Sequence, residues 1–126
     1  MEVVLDTDIH ILFNDWLDSN RHSLFTQSLA LIEPKLGAEF YTCNGYFSGK
    51  IVALIKNERI VHLWRTTEFA IHDEDSFLEL SFEKYRDKSK IIFMHLNIPP
   101  EVGLIYIKKW YELYMYPMQQ YYSNKK

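Results

Sequence analysis

With 126 residues, 48% of them apolar and 25% charged, the chain has the length of one domain and an ordinary globular balance. A net charge of -3 argues against the broad basic surface of a general nucleic-acid binder. The single cysteine, Cys43, excludes an internal disulfide and a cysteine-ligated zinc cluster. No stretch approaches the ~20 apolar residues of a membrane span. The opening "MEVVLDTDIH" lacks the apolar run of a secretory signal. A cytoplasmic protein is expected, with no cofactor.

In chain order, residues 2–5 read as a first strand. Thr7 is placed as N-cap of an amphipathic helix over 8–18, because Ile9, Leu12, Phe13, Trp16 and Leu17 repeat at helical spacing. "DSNRHS" is expected to break that helix, with a second short helix around 21–28. Pro34 and Gly37 mark a loop. Strand texture begins at "AEFYTC" and runs to Asn44-Gly45, the dipeptide of a two-residue hairpin. "YFSGKIVALI", the turn "KNE" and "RIVHLWRTT" follow. "EFAIHDED" is a loop. "SFLELSFEKY" alternates, with Leu78, Leu80 and Phe82 on one face and Glu79, Ser81 and Glu83 on the other, the pattern of a sheet with one buried side. "RDKS" turns the chain into "KIIFMHLNI".

Pro99 and Pro100 end the sheet, and proline suits the first helical position. A long helix is expected over 100–122, with Ile107, Trp110, Tyr114, Pro117 and Tyr121 along one stripe. Pro117 lacks an N–H and crowds the carbonyl of Leu113, so a kink is expected there. One apolar sheet face and one apolar helix stripe pack most simply against each other.

"HSLFTQSLALIEPKLGAEF", "NGYFSGKIVALIKNERIVHLWR", "DEDSFLELSF", "HLNIPPE" and "KKWYELYMYPMQQYY" together resemble the C-terminal domain of the activator of heat-shock protein 90 ATPase. That domain is START-like (SRPBCC). The resemblance spans nearly the whole chain in family order. It departs at Gln27 and Ala38, where the family often has glycine, and at Lys109, where a glycine often precedes the helix tryptophan. It implies an α+β helix-grip fold: a curved antiparallel sheet of about six strands wrapped on a long C-terminal helix, as one domain over 1–126. It also implies two kinds of partner, an apolar ligand held between sheet and helix or a chaperone protein.

The residues themselves limit the chemistry. His10, His22, His62, His72 and His95 lie on different elements with no metal-binding spacing, so no metal site is expected. Glu79 and Glu83 fall on the outward face, away from any cleft that would tune them. Neither a Gly-x-Ser-x-Gly elbow nor a phosphate loop occurs, and no catalytic residue is assigned. Arg65 is expected to pair with Glu68 or Asp75. Trp64 should fill the space between sheet and helix. The tyrosines of the last helix cannot all face inward. Those on the stripe need hydroxyl partners, and the rest form an aromatic surface suited to protein contacts or a homodimer.

The function expected is therefore non-enzymatic binding of a small hydrophobic ligand. Its cavity candidates are Trp64, Leu78, Leu80, Phe82, Phe93, His95, Trp110 and Tyr114. The alternative is a protein-interaction module modulating a chaperone ATPase. A cavity-based enzyme using His95 or Tyr114 is third.

Overall fold

Seven antiparallel strands form one sheet in the order β1-β7-β6-β5-β4-β3-β2. They are β1 (Glu2–Leu5), β2 (Leu31–Ile32), β3 (Glu39–Thr42), β4 (Phe47–Ile55), β5 (Arg59–Thr66), β6 (Ser76–Tyr85) and β7 (Lys88–Leu96). The computed structural model describes residues 1–123. The basic tail residues Lys125 and Lys126 lie outside that range.

Alternation decides which side is buried. Ile60, His62 and Trp64 on β5 are buried, as are Leu78, Leu80 and Phe82 on β6 and Ile91 and Phe93 on β7. Glu79 and Glu83 point to the other face, where Glu79 meets Arg59 at 3.8 Å. Curvature is set on β4. Its register with β5 shifts between Ile51 and Ala53, and a bulge of this kind bends and twists its strand. At Gly49 the neighbouring strand comes so close that a Cβ would lie 1.8 Å from the Leu63 carbonyl oxygen.

Helices cover the concave face: α1 (Ile9–Leu17), α2 (Ser19–Thr26), and a C-terminal run of α3 (Gly103–Trp110), a π turn (Tyr111–Met115) and α4 (Tyr116–Ser123). A 3-10 turn at Pro100–Val102 opens that run, with proline at its start.

Several expectations are corrected. The N-cap of α1 is Asp8, not Thr7. The first helix does break at "DSNRHS", ending at Leu17, but the second begins at Ser19 and not near 21. Asp18 accepts a hydrogen bond from the Arg21 N–H at 2.9 Å and starts α2 at once. β2 is a strand of two residues, too short to show alternation. The β3–β4 turn holds four residues, because Thr42 pairs with Phe47. Cys43, Asn44 and Gly45 all take positive φ there.

The buried helix stripe is also different. Ile107 is 51% exposed, and Pro117 and Tyr121 are half-buried. The buried ridge is Tyr106, Trp110, Tyr114, Met118 and Tyr122, four apart, with Met115 buried beside it. In a regular α-helix a four-residue ridge drifts by ~40° per step. The π turn, where the Tyr116 N–H bonds the Tyr111 carbonyl, holds more residues per turn and pulls the ridge back over the sheet. The irregularity expected at Pro117 therefore falls in the turn just before it, which relieves the clash with the Leu113 carbonyl.

Candidate functional site

The space between sheet and helices is built from rings. Trp110 of α3 stacks on Trp64 of β5, with centroids 5.3 Å apart and planes 23° from parallel. It also touches Phe47 of β4 at 5.2 Å, Phe93 of β7 at 5.2 Å and His95 at 5.3 Å. Tyr114 lies 4.6 Å from Trp110 and 5.1 Å from Trp16 of α1. Trp64, Phe93, His95, Trp110 and Tyr114 are thus brought together. Leu78 and Leu80 lie buried on the same face. Phe82 sits apart, under α1, against Phe13 at 5.5 Å.

These rings leave little space. The gap bounded by Trp16, His22, Phe40, Thr42, Ile51, His62 and Trp64 has no room for a water molecule. Around that gap the side chains are close-packed.

A buried polar chain runs through it that the sequence reading did not anticipate. The Trp16 Nε1–H donates to His62 Nε2 at 3.1 Å, which leaves the His62 Nδ1–H to donate to the Leu78 carbonyl at 3.2 Å. His22 Nδ1 lies 2.7 Å from the Trp16 carbonyl, and its Nε2 lies 2.7 Å from the Tyr114 hydroxyl. A carbonyl only accepts, so Nδ1 carries the proton of neutral His22 and Nε2 accepts from Tyr114. Thr42 Oγ1 continues the chain 2.8 Å from Tyr114.

Burial denies an imidazolium its hydration. It lowers His22 to about 3 and His62 to about 4. Burial also pushes the Cys43 thiol up to about 12 and the Tyr114 phenol well above its usual value. These groups are therefore neutral at ordinary pH.

Three buried polar atoms of the aromatic cluster lack a hydrogen-bond partner: Nε1 of Trp64, Nε1 of Trp110 and Nε2 of His95. The Tyr106 hydroxyl sits close enough to the Trp110 N–H to be influenced by it, outside hydrogen-bond geometry. It pairs instead with His95 Nδ1 at 3.1 Å.

The tyrosines divide between inside and outside, but the buried set differs from the expected stripe in holding Tyr106 and Tyr122 in place of Tyr121. Tyr106, Tyr114 and Tyr122 bury their rings and satisfy their hydroxyls, Tyr122 by donating to Asp15 at 2.8 Å. Tyr111 and Tyr116 are exposed. Arg65 pairs with Asp75 at 2.7 Å, not with Glu68, and also donates to the Ala70 and Asp73 carbonyls. It thereby holds the 67–75 loop.

The family model for Activator of Hsp90 ATPase homolog 1-like protein matches residues 6–121. The chain belongs to that family. Solved structures share its fold. An HSP90 activator from Plasmodium falciparum is 22% identical, with a TM-score of 0.75 over 88% of this chain and 84% of that one. The Aha1 dimer from Colwellia psychrerythraea is 11% identical, with a TM-score of 0.78 over 100% and 96%. CalU16 from Micromonospora echinospora is 18% identical, with a TM-score of 0.74 over 95% and 70%. No curated protein sequence matches the chain. Among the described residues no helix is long and apolar enough to cross a membrane.

Proposed function

We propose that this member of the Hsp90-activator-like family is a non-enzymatic protein-interaction module that modulates the ATPase of an Hsp90-type chaperone in the cytoplasm. The observation that carries the reading is the filled interior. Trp64, Phe93, Trp110 and Tyr114 are buried and in ring contact with one another between sheet and helix, which supports a role for the surface. Family membership and the similarity to a protein described as an HSP90 activator support the choice of partner. The neutral, structurally bonded state of His22, His62, Cys43 and Tyr114 supports the absence of catalysis. The test is titration of the chain into the host's Hsp90-type chaperone with ATP turnover as readout. A saturable change in rate is expected. No complex and no change at high micromolar concentration contradicts the reading.

A small apolar ligand between sheet and helix is the second reading. What favours it is the set of unpartnered polar atoms on Trp64, Trp110 and His95, which a ligand bearing an acceptor oxygen and a donor would satisfy. Leu78, Leu80 and Phe93 would supply the apolar wall, contributing about 25 cal/mol per Å² buried. A ligand retained in native mass spectra of the purified protein would support it, and empty spectra with no thermal shift from apolar probes would remove it. Pairing of two copies is a further proposal, which the relative described as an Aha1 dimer supports.

A further inference from the structure

The C-terminal helix run has a second ridge, opposite the buried one. Leu104 is 88% exposed and Tyr116 is 61% exposed. Lys108 and Glu112 are exposed between them at four-residue spacing, 3.8 Å apart within one chain, a weak exposed pair that a second copy would extend into a four-charge cluster. Ile107 and Tyr111 flank the ridge, 51% and 42% exposed. The π turn that keeps Trp110 and Tyr114 over the sheet also keeps this outer ridge straight. It brings the rings of Tyr111 and Tyr116 to 5.7 Å. Lys109 flanks the ridge: its ammonium lies over the Tyr46 ring at 5.8 Å and 3.8 Å from the Glu112 carboxylate.

The order of residues on this ridge is self-complementary. Leu104 and Tyr116 stand equally far on either side of Trp110 in sequence, and so do Lys108 and Glu112. An antiparallel two-fold pairing centred at Trp110 sets apolar Leu104 against Tyr116 of the second copy. It sets Lys108 against Glu112, and each contact occurs twice. A parallel pairing sets Lys108 on Lys108 and Glu112 on Glu112, which repels. The ridge carries little net charge, Lys108 and Lys109 against Glu112, so it selects neither an anionic membrane nor a strongly charged protein.

We propose that the Leu104–Lys108–Glu112–Tyr116 ridge is where two copies of this chain pair, antiparallel, with Lys108 of each against Glu112 of the other. The inference rests on the self-pairing reading above and adds its surface, direction and register. The ridge is about 18 Å long. One ridge of that length is smaller than a standard interface, so the dimer is weak and concentration-dependent.

Sedimentation equilibrium up to millimolar concentration tests this on the wild type, K108E, E112K, the K108E/E112K double variant and L104E. The wild type is expected to dimerise reversibly. Each single reversal weakens the dimer roughly tenfold, because the two-fold places it at two contacts. The double variant returns to within about threefold of wild type, since its pairs are again opposite. L104E is monomeric, with an unchanged melting temperature because Leu104 buries almost nothing in the monomer. A wild type that stays monomeric overturns the self-pairing reading and this inference with it. A dimer indifferent to the single reversals, or single effects that the double variant does not restore, overturns the ridge or its register and leaves self-pairing standing.

Discussion

Trp64 and Trp110, from the middle of the sheet and the last turn of α3, stack 5.3 Å apart with no measurable exposure of either. That contact ties the two halves of the fold together across 46 residues of chain. Neither indole N–H has a hydrogen-bond partner, whereas that of Trp16, in the same cluster, donates to His62.

The three tryptophans should therefore respond differently to replacement. Truncation of Trp110 to alanine removes a fully buried bicyclic ring, at a cost of about 3–5 kcal/mol. A domain of ordinary stability, about 5–15 kcal/mol, is left close to unfolding. Replacement by phenylalanine separates packing from hydrogen bonding. Trp64→Phe and Trp110→Phe lose apolar contact alone. Trp16→Phe also strands His62 Nε2, and is expected to cost about 1–3 kcal/mol more. Urea unfolding of the three variants measures the difference, and equal costs would contradict the assigned bond.

Stability should depend on pH through His22 and His62. Unfolded, each imidazole takes a proton near 6.5. Folded, His62 does so only near 4 and His22 near 3. Between those values the unfolded chain binds more protons, so stability is full above pH 6.5 and falls as the pH drops toward 4. Each histidine contributes a slope of about 1.4 kcal/mol per pH unit, or about 4 kcal/mol for the pair by pH 5. Chemical denaturation at pH 7.5 and pH 5 measures the loss. His62→Gln should flatten the dependence, and an unaltered slope in that variant would remove His62 from the account.

Two glycines are expected to behave in opposite ways. At Gly49 an alanine Cβ would meet the Leu63 carbonyl oxygen at 1.8 Å and its carbon at 2.7 Å, both backbone. The sheet has to open, so Gly49→Ala should cost more than about 3 kcal/mol or abolish folding. Gly103, in the first turn of α3, has open space around it and helical φ. Gly103→Ala should stabilise by about 0.5–1 kcal/mol through helix propensity. Melting temperatures of the two variants should move in opposite directions.

Arg65 acts on a loop more than on the fold. Its guanidinium joins the Asp75 carboxylate and the Ala70 and Asp73 carbonyls. The ion pair is partly exposed and worth no more than about 1 kcal/mol. Arg65→Ala should leave global stability within that margin while amide exchange across residues 67–75 quickens. Exchange in that loop unchanged from wild type would show that other contacts hold it.

Much of this fold could be read from short-range pattern. The alternation of Leu78, Leu80 and Phe82 with Glu79 and Glu83 reports one buried face, because period two is a property of each strand alone. Trp64 and Trp110 stand out for the same reason, as large apolar residues on inward positions. The polar chain could not be read. His22 and Tyr114 lie 92 positions apart and Trp16 and His62 lie 46 apart, and nothing local marks them as partners. Regular α-helical spacing places the helix stripe through Ile107 and Tyr121. The π turn at Tyr111–Met115 alters the count of residues per turn and moves Tyr106 and Tyr122 inward instead. The dipeptide Asn44-Gly45 alone predicts a two-residue hairpin, but Cys43 also adopts positive φ and Thr42 pairs with Phe47, which lengthens the turn.

The claim underneath all of this is that the aromatic interior is solid and the chain works through its surface. Nitrogen-resolved NMR of the indole N–H groups tests it most directly. With apolar probes added to saturation, the Trp64 and Trp110 indole resonances should stay in place, while an Hsp90-type chaperone should perturb surface amides. A saturable shift of either indole on addition of an apolar probe would show that the interior opens to a ligand, and would contradict the account.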